Sequence, residues 1–280
     1  MKRSIVVLLF FLISLNAYAQ TDSAKTSNWT IKGIVGFNLN QTSFTNWAKG
    51  GDNAFAFSLV GDFNADYASD GWKFTNYLKL NWGRSKIGVD ETKVTDNEFV
   101  LENLLAKNVG WVFKPYFSNT IRTQLVAGYD YAEEPAVEVA AFFDPGYVTQ
   151  ELGLIYDAPE WFQTRLGLGF KHSITNKFND ASDDKETPDI EKYKFDAGIQ
   201  SVTEASFGIV ENVVYNTKLS LFGRFKDFAW WDVYWDNKFV AKINNFMNVN
   251  LDVSVVYNRD ETIETQVKEA FQLGFSFAIF

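Results

Sequence analysis

The sequence predicts an all-β protein: a transmembrane antiparallel up-and-down β-barrel of about twelve strands, behind a cleaved signal peptide. Three observations predict it. Long stretches of the chain alternate apolar and polar residues. The connections between those stretches alternate short and long. Tryptophans gather at the ends of the stretches.

The chain opens with an export signal. Lys2 and Arg3 precede a short apolar run from Ser4 to Leu15, and Ala17-Tyr18-Ala19 reads as the cleavage site. The apolar run is too short to span a bilayer. No cysteine follows the site, so a lipid-anchored N-terminus is excluded. The expected organisation is a signal peptide over 1–19 and one barrel domain over 20–280. After the signal, no window approaches the roughly 18 continuous apolar residues that a spanning helix needs. Aromatic residues make up 17% of the chain and its formal charge is −9. That acidity argues against nucleic acid, which favours basic surfaces.

The stretch 42–67 sets the pattern. Its second half places Phe55, Phe57, Leu59, Phe63 and Tyr67 on one side. Ser58, Asp62, Asn64 and Asp66 fall on the other. A period of two held this long, with large aromatics on one face, fits a strand that meets lipid outside and water inside.

Eleven more stretches follow the same rule: 29–40, 72–84, 97–107, 115–131, 147–157, 162–175, 193–210, 217–227, 231–243, 247–257 and 267–280. A soluble sandwich also alternates, but its outward face is polar. With both termini on the periplasmic side, the turns at 69–71, 108–114, 158–161, 211–216 and 244–245 are short. The external connections 41–52, 85–96, 132–146, 176–192 and 258–266 are longer, and only 228–230 breaks the pattern. Short periplasmic turns and longer outer loops are the rule for such barrels. Trp29, Trp72, Trp82, Trp111, Trp161, Trp230 and Trp231 lie at or near strand ends, where amphipathic rings settle at the membrane boundary. Phe280 supplies an aromatic terminus, one residue out of phase with the apolar face of the last strand.

Several pieces resemble a known family. Phe44-Thr45-Asn46-Trp47-Ala48-Lys49-Gly50-Gly51-Asp52-Asn53 is similar to the signature of the domain of unknown function 3078, a family of exported Bacteroidota proteins. Thr123-Gln124 before Gly128-Tyr129, Phe142 to Tyr147, and Glu211-Asn212-Val213 are similar in order. The resemblance implies an outer-membrane barrel and no established activity.

Candidate site residues fall in two groups. Trp47, Gly50, Gly51, Asp52 and Asn53 form a knot with turn chemistry, a candidate pore mouth or ligand loop. Trp47 can stack on a solute or constrict a pore. The plainer reading is a structured loop, in which Gly-Gly permits positive φ and Asp-Asn closes the turn; the turn chemistry fits this better. Candidate lumen-lining residues are Asp62, Asp66, Lys73, Lys79, Arg122, Arg165, Arg224, Asp232, Asp236 and Lys238. The two signs are nearly balanced, so neither anion nor cation preference follows. Such a lumen is either a wet pore or an interior closed by ion pairs.

Catalysis finds little support. The only histidine is His172, and Ser173 beside it points to the opposite face of the strand. One histidine and no cysteine argue against a zinc site, and no cofactor is expected. Asp180, Asp183, Asp184, Glu186 and Asp189 make an acidic outer loop whose spacing matches no EF-hand. Expected partners are outer-membrane lipid, lipopolysaccharide and the barrel insertion machinery; a protein partner is left open. Three functions stay open, in falling order of fit: a narrow passive channel for small polar solutes, a non-conducting structural or adaptor barrel, and a membrane-embedded lipid-modifying enzyme.

Overall fold

The computed structural model describes residues 28–44, 51–157 and 159–279. The predicted signal peptide, Trp47, Gly50 and Phe280 lie outside the described residues. In chain order the strands are β1 (Trp29–Thr42), β2 (Ala54–Ser69), β3 (Trp72–Ile87), β4 (Lys93–Lys107), β5 (Lys114–Thr123), β6 (Gly128–Asp130) and β7 (Val137–Ala140). They continue as β8 (Gly146–Tyr156), β9 (Phe162–Ile174), β10 (Tyr193–Val210), β11 (Val213–Arg224), β12 (Trp231–Lys242), β13 (Met247–Tyr257) and β14 (Gln266–Ala278). All but β6 and β7 close into one barrel, in the order β1-β14-β13-β12-β11-β10-β9-β8-β5-β4-β3-β2. Every pairing is antiparallel, and β1 closes on β14 from Ile34↔Ala278 to Leu39↔Leu273.

Alternation sets the register. A slip of one residue would move every aromatic side chain from the outside to the lumen. In the β2–β3 pair, Phe63 faces Leu78 and Leu59 faces Trp82 on the outside, while Asp62 faces Lys79 on the inside. The β2–β3 turn is Asp70–Gly71, both at positive φ (51° and 76°). That is the two-residue turn whose twist suits a hairpin.

Burial is inverted relative to a soluble domain. Buried side chains include Glu151, Arg165, Asp196, Arg224 and Asp232. Exposed ones include Ile31, Leu59, Phe117, Leu152, Leu166 and Phe271. Among the described residues, the apolar cluster of buried residues is Leu104, Ala106, Tyr116 and Ile155, inside the wall formed by β4, β5 and β8. Among the described residues no helix is long and apolar enough to cross a membrane, which says nothing of crossing by strands.

One predicted strand is corrected. The stretch 115–131 does not run through: β5 ends at Thr123, and 128–130 joins Val137–Ala140 in a separate hairpin. The side chain of Asn97 causes the departure. Its Oδ1 accepts the Leu125 and Val126 amides at 2.8 and 2.9 Å, and its Nδ2 donates to the Val126 carbonyl. Those backbone groups are thereby satisfied off the ladder.

Candidate functional site

Ten residues were predicted to line the lumen, and the structure sorts them into two environments. Asp62, Asp66, Lys73, Lys79, Arg122, Arg165, Asp236 and Lys238 line a single cavity of about 960 Å³. It reaches Gln266 and Lys268, at the long-loop end of β14, and Asp66 and Lys73, near the short-turn end of β2 and β3. Its ion pairs stay partly open. Lys79 and Glu98 sit 2.8 Å apart with their side chains 25% and 24% exposed. Lys238 and Asp252 are 3.6 Å apart.

Arg224 and Asp232 lie elsewhere, in a closed network against β9–β12. The Arg224 guanidinium donates through both terminal nitrogens to the Asp232 carboxylate, each at 2.9 Å, and through Nε to Asp196 at 3.1 Å. The Arg224 and Asp232 side chains are 7% and 2% exposed. Lys171 adds a bond to Asp232 at 2.9 Å. The planar fork of arginine suits this bidentate geometry.

Asp260 completes that network, and the sequence reading missed it. It belongs to the 258–265 connection, which folds inward over the barrel. Its carboxylate accepts from Arg224 and Lys194 at 2.5 Å each and from Lys171 at 3.1 Å. Burial alone would raise the carboxyl pKa; the charges of Lys171 and Arg224 and the hydrogen bond from Lys194 outweigh it and hold the group well below the usual aspartate range. Asn258 braces the turn, donating to Tyr234 Oη at 2.9 Å and accepting the Asp260 amide at 3.1 Å. In the sequence Asp260 sits among Arg259 and Glu261 like any solvated loop acid.

Other contacts cross the open space. Glu102 on β4 bonds Arg165 on β9 at 2.5 Å and Lys218 on β11 at 2.8 Å. The Arg122 guanidinium on β5 stacks over the Tyr234 ring on β12, 4.7 Å from its centre. Lys268 on β14 pairs with Asp96 on β4. The lumen thus keeps an open cavity, while Lys171, Arg224, Asp232 and Asp260 fill the space beside β9–β12.

The described part of the loop knot packs at the rim. Asn53 Oδ1 accepts the Phe44 amide at 2.6 Å, and its carbonyl accepts the Gly88 amide at 2.7 Å. Gly51 holds φ at +129°, and a Cβ there would sit 2.9 Å from the Phe44 ring. Gly51, Asp52 and Asn53 do not line the cavity. The geometry fits the structured-turn reading of these three residues.

His172 points outward. Its Nδ1 is 2.7 Å from Tyr193 Oη, and its ring packs on Phe195. The acidic loop organises around Glu191, whose carboxylate accepts from the Thr187 hydroxyl at 2.6 Å and the Asp184 amide at 3.0 Å. Asp144 ties the base of the same loop, accepting the Asn176 and Lys177 amides at 2.8 Å each.

The chain is similar in fold to the translocator domain of the autotransporter NalP from Neisseria meningitidis, at 10% identity and a TM-score of 0.35, covering 99% of this chain and 97% of that one. It is also similar to an outer membrane channel from Pseudomonas putida F1, at 10% identity and a TM-score of 0.40, covering 92% and 99%. No curated protein matches. Residues 39–129, from β1 through β6, match the family described as "Protein of unknown function (DUF3078)", the family that the sequence resembles.

Proposed function

We propose that the chain is an integral barrel of the bacterial outer membrane and works as a narrow passive channel for small polar solutes. The observation that carries the reading is the cavity of about 960 Å³, lined by charged and amide side chains and reaching both ends of the wall. Around it the barrel exposes Leu59, Phe117, Leu152, Leu166 and Phe271, an apolar exterior that lipid covers at no cost. The short turns then face the periplasm and the long connections face outward. The pairs Glu102–Lys218 and Arg122–Tyr234 narrow the path, which limits it to small solutes.

The same crossing pairs, together with the inward fold at Asp260, favour a second reading: a non-conducting structural or adaptor barrel. Single-channel recording in a planar bilayer separates the two. The channel reading expects discrete, reproducible steps, enlarged when residues 43–52 are deleted. Silence from protein shown to be folded and inserted, with the deletion also silent, overturns it and leaves the adaptor.

A further inference from the structure

An amide row crosses the outside of the barrel. Asn76 on β3 faces Asn103 on β4, Asn103 faces Asn119 on β5, and Asn119 faces Gln150 on β8. Their sequence neighbours settle the side they occupy. Thr75, Tyr77, Glu102 and Leu104 line the lumen cavity, and Ser118 and Glu151 are buried inside. The four amides therefore point away from the lumen. They do not sit at a rim. On β3 the row lies between Phe74 and Leu78, and on β5 between Phe117 and Ile121, within the apolar band.

Lipid offers such groups nothing. A polar group in hydrocarbon keeps a cost until it finds a hydrogen-bond partner. Asn103 Nδ2 donates to Asn76 Oδ1 at 2.6 Å, and Asn76 Nδ2 reaches the Ala65 carbonyl at 3.4 Å. Among the described residues, the side chains of Asn119 and Gln150 have no hydrogen-bond partner. Thr164 on β9 and Thr203 on β10, whose neighbours Gln163, Arg165 and Glu204 line the cavity, are an outward polar pair for comparison, closed on itself with the two Oγ1 atoms 2.9 Å apart. Asn119 and Gln150 are open within the apolar band, where Thr164 and Thr203 are closed on each other.

We propose that the β3–β4–β5–β8 face is the contact surface for a second copy of this chain. The inference rests on the membrane placement proposed above, not on conduction. The row carries no charge, so it does not select a charged partner. Each amide both donates and accepts, so the row complements itself. Two copies inserted the same way are related by rotation about the membrane normal, and each residue then meets its counterpart's depth. A second copy is thus the one partner certain to present amides at the matching level. Because barrel strands tilt, the row crosses its mate, and the middle residues Asn103 and Asn119 meet there.

The chain contains no cysteine, so an introduced one is its sole thiol. Asn119→Cys and Asn103→Cys, oxidised in native membranes, are expected to give a product of twice the chain mass. Val253→Cys, outward on β13 across the barrel, is expected to give several-fold less. The triple variant Asn103→Leu, Asn119→Leu, Gln150→Leu is expected to keep the folded mobility of a barrel on unheated gels and to run as a monomer. Equal crosslinking at Val253, a product of another mass, monomers throughout, or an unchanged oligomer in the leucine variant overturns the second-copy contact. Recovery of the chain outside the membrane fraction overturns the placement beneath it, which the same fractionation reads separately.

Discussion

Glu102 on β4 and Lys218 on β11 meet at 2.8 Å across the barrel, with β5, β8, β9 and β10 between them along one wall. The two strands are not neighbours in the sheet. The pair is a strut through the lumen, and Arg165 joins it from β9 at 2.5 Å. Removing the shared carboxylate leaves Arg165 with Glu151 at 3.3 Å and Lys218 with Glu204 at 2.7 Å, but breaks the link between the walls.

Glu102→Gln is expected to lower barrel stability by about 1–3 kcal/mol, the range for losing hydrogen bonds to charged groups, since each cation keeps a second carboxylate. Urea unfolding in lipid vesicles measures this. If the lumen conducts, the same variant is expected to enlarge the single-channel step, since the strut narrows the path. An unchanged unfolding midpoint would show that the strut is not holding the walls.

The inward fold of 258–265 depends on the charge of Asp260. Its carboxyl has a lower pKa docked than free, so docking stabilises the loop fully above the ordinary aspartate value of 3.8 and loses that contribution as pH falls through the docked value. The connection is expected to release in strong acid and to stay docked at neutral pH. Asp260→Asn is expected to release it at neutral pH. Protease cleavage within 258–265, followed against pH in both proteins, checks the direction. Cleavage that rises with pH in the natural protein contradicts it.

Asp144 fastens one outer connection to the next through the Asn176 and Lys177 amides. Asp144→Ala strands two donors at the base of 175–192 and is expected to cost about 1–3 kcal/mol. The sensitive readout is amide hydrogen exchange at 176 and 177, expected to accelerate while the barrel strands stay protected. Unchanged exchange at both amides refutes the assignment.

Gly153 and Gly167 pair across β8 and β9. A Cβ on Gly153 would overlap the Leu166 carbonyl, and one on Gly167 would come within 2.5 Å of the Leu152 carbonyl. The strands approach too closely there for any side chain. Gly167→Ala is expected to cost about 1–3 kcal/mol, the range for overpacking. Refolding yield and urea midpoint in vesicles test it, and a midpoint equal to that of the natural protein argues against the close approach.

Local chemistry made much of the fold legible. Alternation in Phe55–Tyr67 marks a strand and its outward face, because successive side chains must point to opposite sides. Asp70–Gly71 marks a hairpin because both positions take positive φ. Those constraints act between neighbours, so they can be read from neighbours. The stretch 115–131 misled for the complementary reason. Its alternation is continuous, and what ends the strand at Thr123 is Asn97, a residue brought in from β4.

By itself the sequence determined the barrel, its strand faces and which charges point inward. Only the tertiary structure decided which of those charges meet. Asp232 and Asp236 are alike in the sequence, two inward acids on β12, yet one is sealed on Arg224 and the other borders open cavity. The pairing of Glu102 with Lys218, the docking of Asp260 and the alignment of four separate amides into one row depend on strand order and register around a closed sheet. Closure brings together residues that are remote along the chain, and period-two alternation carries no record of which strand lies opposite which.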